Sequence, residues 1–264
     1  MSSFRTIEIS DPNYEALGFR FLSVKTPHLR GRGDICLYVP PDTEELGELP
    51  IYILLHGVYG SDWIWALKGG VHSTAALLMR GGQIKPAIIA MPSDGLWGDG
   101  SAYIRHEAHN FEQWIVHDVP LVIKENIEAA GRNSKLCIGG LSMGGYGALR
   151  LGGLYPQLFQ AVSGHSSLTK LEQLTQFVEE PLSEYLPCPK PDIIDVLLAN
   201  KSELPALRFD CGESDDLLAA NRMLHEQLKE QGVQHQYEEF SGGHEWPYWQ
   251  KHVEKTLRFF DLHV

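Results

Sequence analysis

Apolar positions along the chain gather into short unbroken runs separated by longer amphipathic stretches. Ile51–Leu55 (IYILL) and Ala87–Met91 (AIIAM) are apolar at every position, the pattern of a strand buried on both faces. Leu136–Gly139, Phe159–Ser163, Ala206–Cys211 and Gln234–Phe240 read as further strands. Between them the spacing is helical over 71–80, 110–129, 143–154, 217–230 and 246–260. Strands alternating with helices predict an α/β fold, a mostly parallel central sheet with helices on both faces. Ahead of this alternation, Phe19–Val24 and Asp34–Val39 flank the turn-rich Leu29–Gly33. They predict an antiparallel N-terminal hairpin at one edge of the sheet. Pro40, Pro41 and the acidic stretch Asp42–Glu48 read as a loop.

Residues 166–204 break the alternation. They are amphipathic and interrupted by Pro181, Pro187, Pro189 and Pro191. Such an insertion over the strand tips would lie where a cap covers a pocket. The other reading is a structural excursion with no part in substrate binding. No internal repeat or long linker divides the chain, so residues 1–264 read as one domain carrying this insertion.

Residues 136–146 read LCIGGLSMGGY, and Gly140-Leu-Ser142-Met-Gly144 matches G-x-S-x-G. In a nucleophile elbow the serine occupies a very tight strand-to-helix turn, and side chains two residues to either side would strike the flanking strand and helix. The apolar run before the motif and the helix-forming segment after it supply that context. A serine hydroxyl at neutral pH also needs a general base, and the base needs an orienting acid. His244 lies in Ser-Gly-Gly-His-Glu-Trp, a glycine-rich loop between the last strand and the last helix. His225 and His252 fall within helices, His235 in or beside a strand, and His263 near the terminus. The acid is expected after the preceding strand, where Glu213, Asp215 and Asp216 all lie. Asp215 is preferred at the tip of that turn, and Asp216 is expected to cap the following helix. A tetrahedral oxyanion would be held by two backbone N–H groups. One is that of Met143, after the serine. The other is that of Val58, which Gly57 lets face Ser142 in the His56–Gly60 loop.

Together IYILLHGVYGSDWIW, GLSMGGYGALRL, DCGESDDLLAANR and GGHEWPYW resemble the "putative esterase" family of α/β-hydrolases, which includes esterase D, tributyrin esterase, feruloyl and acetyl-xylan esterases and the mycolyltransferases. The resemblance runs from about residue 20 to 262. It implies an α/β-hydrolase fold and an acyl-enzyme on Ser142, with Asp215 and His244 completing the triad and Val58 and Met143 as oxyanion donors. The substrate it implies is a small-molecule ester, either a small acyl ester or an acylated carbohydrate. A thioesterase resembling S-formylglutathione hydrolase is the alternative within the family, and a catalytically silent binding module the alternative of another class. The Trp- and His-rich segment 95–114 and residues 166–204 depart from the family pattern, which leaves acyl group and leaving group open.

Charge and composition narrow the partners. The net charge of −12 argues against nucleic acid or an anionic membrane. No long uncharged apolar stretch and no signal-peptide pattern is read, so a cytoplasmic location is expected. Cys36, Cys137, Cys188 and Cys211 are too few in a chain this long for a disulfide framework. No P-loop or dinucleotide pattern is present, and no cofactor is expected. His106 and His109 are spaced i, i+3, but no recognisable zinc spacing follows, and no metal is expected. Among the tryptophans, Trp63 and Trp97 are the expected pocket residues, because their loops leave strand ends on the catalytic side. Trp65, Trp246 and Trp249 could also line a pocket, though for any one of the five tryptophans core packing is the commoner role. The oligomeric state is not legible.

Overall fold

The computed structural model describes residues 4–41, 43 and 46–264. Of the acidic loop read over Asp42–Glu48, Asp42, Glu44 and Glu45 lie outside the described residues. The strands are β1 (Thr6–Ile9), β2 (Phe19–Thr26), β3 (Gly31–Tyr38), β4 (Ile51–Leu55), β5 (Ile88–Pro92), β6 (Leu136–Leu141), β7 (Phe159–His165), β8 (Ala206–Gly212) and β9 (Gln236–Phe240). They form one sheet in the order β1-β2-β3-β5-β4-β6-β7-β8-β9. From β5 to β9 all pairings are parallel, whereas β1, β2 and β3 pair antiparallel and β3 joins β5 antiparallel. The hairpin therefore stands at one edge, as its alternation predicts. Strand β1 went unforeseen, because its Thr-Ile-Glu-Ile alternation is only four residues long and only one of the four is even partly buried.

The helices are α1 (Ile64–Leu67), α2 (Val71–Arg80), α3 (Phe111–Gln113), α4 (Val119–Asn126), α5 (Met143–Leu154), α6 (Ile193–Ala199), α7 (Leu218–Glu230) and α8 (Trp246–Asp261). Successive residues of a strand face opposite sides, and β4 shows how both sides are covered. Ile51, Ile53 and Leu55 pack in one core with Val119, Ile123, Leu149 and Leu224 of α4, α5 and α7. Tyr52 and Leu54 pack in a second core with Val71, Leu78, Val253 and Phe260 of α2 and α8. Among the described residues no helix is long and apolar enough to cross a membrane.

Two expectations need correction. The helix read over 110–129 is broken by a π-turn, Trp114–Asp118, between α3 and α4. Pro120 sits in the first turn of α4 and has no N–H to donate to an i−4 carbonyl, so the chain widens here rather than continuing as a regular helix. Residues 166–204 divide into two parts. The first carries 3₁₀ turns at Leu171–Gln176 and Leu182–Tyr185, and Phe177 from this part reaches the cavity described below. The second contains α6, whose Val196 and Leu197 lie against Gly153 of α5.

Candidate active site

Strand β6 passes directly into α5 through Ser142, which takes φ 54° and ψ −120°. The left-handed φ is strained for a residue with a Cβ. It is possible here because the neighbours leave room. A Cβ on Gly144 would lie 2.3 Å from the Leu55 carbonyl oxygen, and one on Gly140 would lie 2.4 Å from the Gly144 oxygen. The turn brings the Ser142 hydroxyl within 2.9 Å of His244 Nε2. His244 Nδ1 is in turn 3.0 Å from Asp215 Oδ2 and 3.2 Å from Oδ1. With the Nδ1 proton directed at the carboxylate, Nε2 is left to accept the serine proton.

The acidic turn after β8 sorts its three carboxylates by environment. Asp215 is buried, with 5% of its surface exposed, and its Oδ1 also accepts the Leu217 N–H at 2.9 Å. Burial would raise this carboxyl, but the hydrogen bond and charge of His244, with the Leu217 N–H, bring it below the usual carboxylate value. Glu213 is exposed and accepts from Ser241. Asp216 is exposed and does not cap α7. The N-cap residue of that helix is Leu217, with no side-chain cap, and Asp215 occupies the acceptor position that Asp216 was expected to fill.

The loop after β4 is fixed by its own histidine. Buried His56 places Nδ1 2.7 Å from the Gly57 carbonyl, and its Nε2 accepts the Asp94 N–H at 3.1 Å. The Tyr103 hydroxyl donates to the His56 carbonyl. Gly57 is thereby held against Leu141 and Ser142, where a Cβ would come within 2.9 Å and 3.3 Å of their side chains. Gly100 abuts the side chains of both Met143 and Val58. Among the described residues neither the Val58 nor the Met143 N–H has a protein acceptor.

A cavity of about 530 Å³ opens at Ser142 and His244. Its walls are mainly apolar and aromatic: Ile64, Leu141, Tyr59, Phe177, Trp246 and Trp249. The Phe177 ring stacks on His244 at 5.5 Å, and Trp249 meets the same imidazole edge-on at 5.1 Å. The Tyr59 hydroxyl donates to the Phe177 carbonyl and ties the two sides of the mouth together. The two tryptophans preferred for the pocket, Trp63 and Trp97, are not the ones at this cavity. Trp63 is exposed ahead of α1 and does not line this cavity. Trp97 packs instead against His106 at 4.4 Å and Tyr185 at 5.3 Å. Trp246 and Trp249 line the wall because α8 starts two residues after His244 and turns both indoles back toward it. Phe177 was not foreseen, since nothing local in a proline-broken insertion marks which residue reaches the site.

His106 and His109 do not converge. His106 sits in an aromatic nest, with Nε2 3.0 Å from the Ser101 carbonyl, and burial pushes its pKa down to about 4. His109 stacks on Phe111.

Residues 27–260 match the protein family described as "Putative esterase". The chain belongs to this esterase family. An acetyl esterase of Caldicellulosiruptor saccharolyticus is 28% identical over 240 residues, covering 83% of this chain and 84% of that protein. A ferulic acid esterase structure superposes with a TM-score of 0.80 at 22% identity, over 98% of this chain and 100% of that one. An S-formylglutathione hydrolase from Agrobacterium tumefaciens gives 0.79 at 16% identity over the whole of both chains. The fold of this esterase is accordingly that of the α/β-hydrolases.

Proposed function

We propose that this esterase is a serine carboxylic-ester hydrolase working through an acyl-enzyme on Ser142. The observation that carries the reading is the unbroken relay from Ser142 Oγ to His244 Nε2 at 2.9 Å and from His244 Nδ1 to Asp215 at 3.0 Å. In this mechanism His244 takes the serine proton as Oγ attacks the ester carbonyl, and Asp215 holds the imidazole in the required tautomer. The Val58 and Met143 N–H groups receive the oxyanion. The imidazolium then protonates the departing alkoxide, and a water activated by His244 hydrolyses the acyl-enzyme.

The cavity supports a small acyl ester or an acylated carbohydrate as substrate. Aromatic walls suit a planar acyl group or a sugar face. Among the described residues no Lys or Arg lines the cavity, and Glu245 is its one carboxylate. That lining favours a neutral leaving group over the paired carboxylates of glutathione. In this reading residues 166–178 act as a cap, with Phe177 as the contact to substrate, and the whole chain works as one domain.

The test is a substrate panel of p-nitrophenyl acyl esters, acetylated and feruloylated sugars, and S-formylglutathione, run with wild type and Ser142→Ala. The expected result is turnover of oxygen esters that disappears in the variant. Thioester turnover far above ester turnover would overturn the substrate assignment, and retained activity in Ser142→Ala the mechanism.

A further inference from the structure

Away from the cavity, the structure gathers two histidines and an aspartate from segments far apart in sequence. His28 lies in the turn between β2 and β3, and His117 and Asp118 end the π-turn before α4. One ligand-type atom from each lies within 4.8 Å of the other two. His28 Nδ1 stands 2.8 Å from Asp118 Oδ2, and His117 Nδ1 stands 2.8 Å from Asp118 Oδ1. None of the three lines the Ser142 cavity.

We propose that His28, His117 and Asp118 form a binding site for a divalent transition metal of the zinc type, which clips the β2–β3 turn to the π-turn. Two imidazoles and one carboxylate are a donor set suited to Zn²⁺, with water completing a four-coordinate shell. The carboxylate is also held as a ligand would be, because the Thr26 hydroxyl donates to Asp118 Oδ2 and fixes its orientation from behind. Access is open on the other side. The Asp118 side chain is 2% exposed, whereas those of His28 and His117 are 30% and 55% exposed. A cation arriving from solvent therefore meets the imidazoles first and the buried carboxylate last. Binding replaces each hydrogen bond between Nδ1 and the carboxylate by an Nδ1–metal bond, and each ring, bound as a neutral imidazole, then carries its one proton on Nε2 instead of Nδ1. The nitrogen–oxygen separations then open slightly, toward the spacing set by ligand bonds of about 2.0–2.1 Å, which the exposed rings allow. The π-turn is an additional pointer, since such turns recur at functional sites. Spacing rules could not find the set, because His28 is 90 residues from Asp118.

A purely structural role for the two imidazoles, as donors to a buried carboxylate, makes a different prediction. Glutamine keeps an N–H donor of similar reach but is a poor zinc ligand. The experiment is zinc titration by calorimetry on untagged protein, with Tm measured in parallel, for wild type, His28→Gln and His117→Gln. Wild type should take up one tight equivalent. Its Tm should rise by several degrees at zinc about 100-fold above Kd. Each Gln variant should fold, keep its Tm without zinc within a few degrees of wild type, and lose the tight equivalent and the zinc-dependent rise. EDTA should remove the rise from wild type while leaving ester turnover unchanged. Absence of a tight equivalent in wild type overturns the proposal, and so does an equivalent that survives in both Gln variants.

Discussion

At Ser142 a strained backbone and the proposed nucleophile meet in one residue. A non-glycine residue at φ 54° costs on the order of 1–3 kcal/mol, and the surrounding strand, helix and His56–Gly60 loop hold it there. Ser142→Ala keeps every backbone contact and deletes only the hydroxyl that the proposed mechanism uses as nucleophile. We expect kcat to fall by about 10⁶-fold, the scale for removing a triad serine, with an unchanged circular dichroism spectrum. Neighbouring carboxylates make the sharper comparison. Asp215→Asn leaves the shape intact but reverses one donor–acceptor relation with His244, so kcat should drop by up to about 10⁴-fold. Asp216 is exposed and makes no cap, so Asp216→Asn should stay within about twofold of wild type, where surface changes leave little trace. Parallel kcat measurements decide it, since a crippled Asp216 variant beside a mild Asp215 variant would shift the acid by one residue.

Helix α5 and the 166–204 segment divide the work of placing the site. The first turn of α5 works only if it can lie against β4, and Gly144 is where they touch. Gly144→Ala puts a methyl 2.3 Å from the Leu55 oxygen, which cannot yield without moving the central strand. Overpacking of this kind costs about 1–3 kcal/mol, so thermal denaturation should show a lowered Tm, and the displaced serine should lose most of its activity. In the proposed function the 166–204 segment bears on substrate choice instead. Phe177 forms one cavity wall over His244, tethered through its carbonyl to Tyr59. Phe177→Ala should lower kcat/KM for aromatic acyl esters about tenfold or more relative to acetyl esters, the range expected for lost apolar contact in a pocket. Equal losses on both substrates would assign Phe177 to support of the histidine rather than to acyl choice.

Behind Ser142 and His244 a second, largely buried polar cluster ties the molecule together. Asp210 accepts from Arg208 at 2.6 Å and from Tyr248 at 2.7 Å, and pairs with His165 at 2.9 Å. Arg208 also meets Glu238, and His165 Nε2 lies 2.7 Å from Thr256. These residues belong to β7, β8, β9 and α8, so the cluster locks the last third of the sheet to the helix that carries the cavity tryptophans. Burial would raise the Asp210 carboxyl, but His165 and Arg208 hold it well below the usual carboxylate range. A folded-state value below the unfolded one means that its contribution is present above about pH 4. That contribution is lost as pH falls toward the lower folded value. Asp210→Asn leaves Arg208 charged and buried without this partner, a loss of about 3–5 kcal/mol at neutral pH. In urea titrations the gap between wild type and variant should narrow as pH is lowered from 7 to 3, and a gap that stays constant would show that ionisation of Asp210 contributes little.

The sequence determined the parts whose signal is local. Wholly apolar runs mark β4 and β5 because strands covered on both faces admit no polar position. The elbow is legible because glycine is the only residue that fits at 140 and 144. Asp215 and His244 are legible because strand ends and the loops that follow them have a fixed order in a parallel sheet. Tertiary structure decided what depends on approach between distant segments. Trp246 and Trp249, not Trp63 and Trp97, line the cavity, because the direction in which α8 leaves the His244 loop is set by packing on the second core. Phe177 reaches His244 across a proline-broken insertion whose path no periodicity records. Asp216 loses its expected role at the helix entry because the Asp215 carboxylate accepts the Leu217 N–H while also facing the imidazole. His28 meets His117 and Asp118 only because a hairpin turn and a π-turn close on each other, and spacing along the chain carries no trace of that meeting.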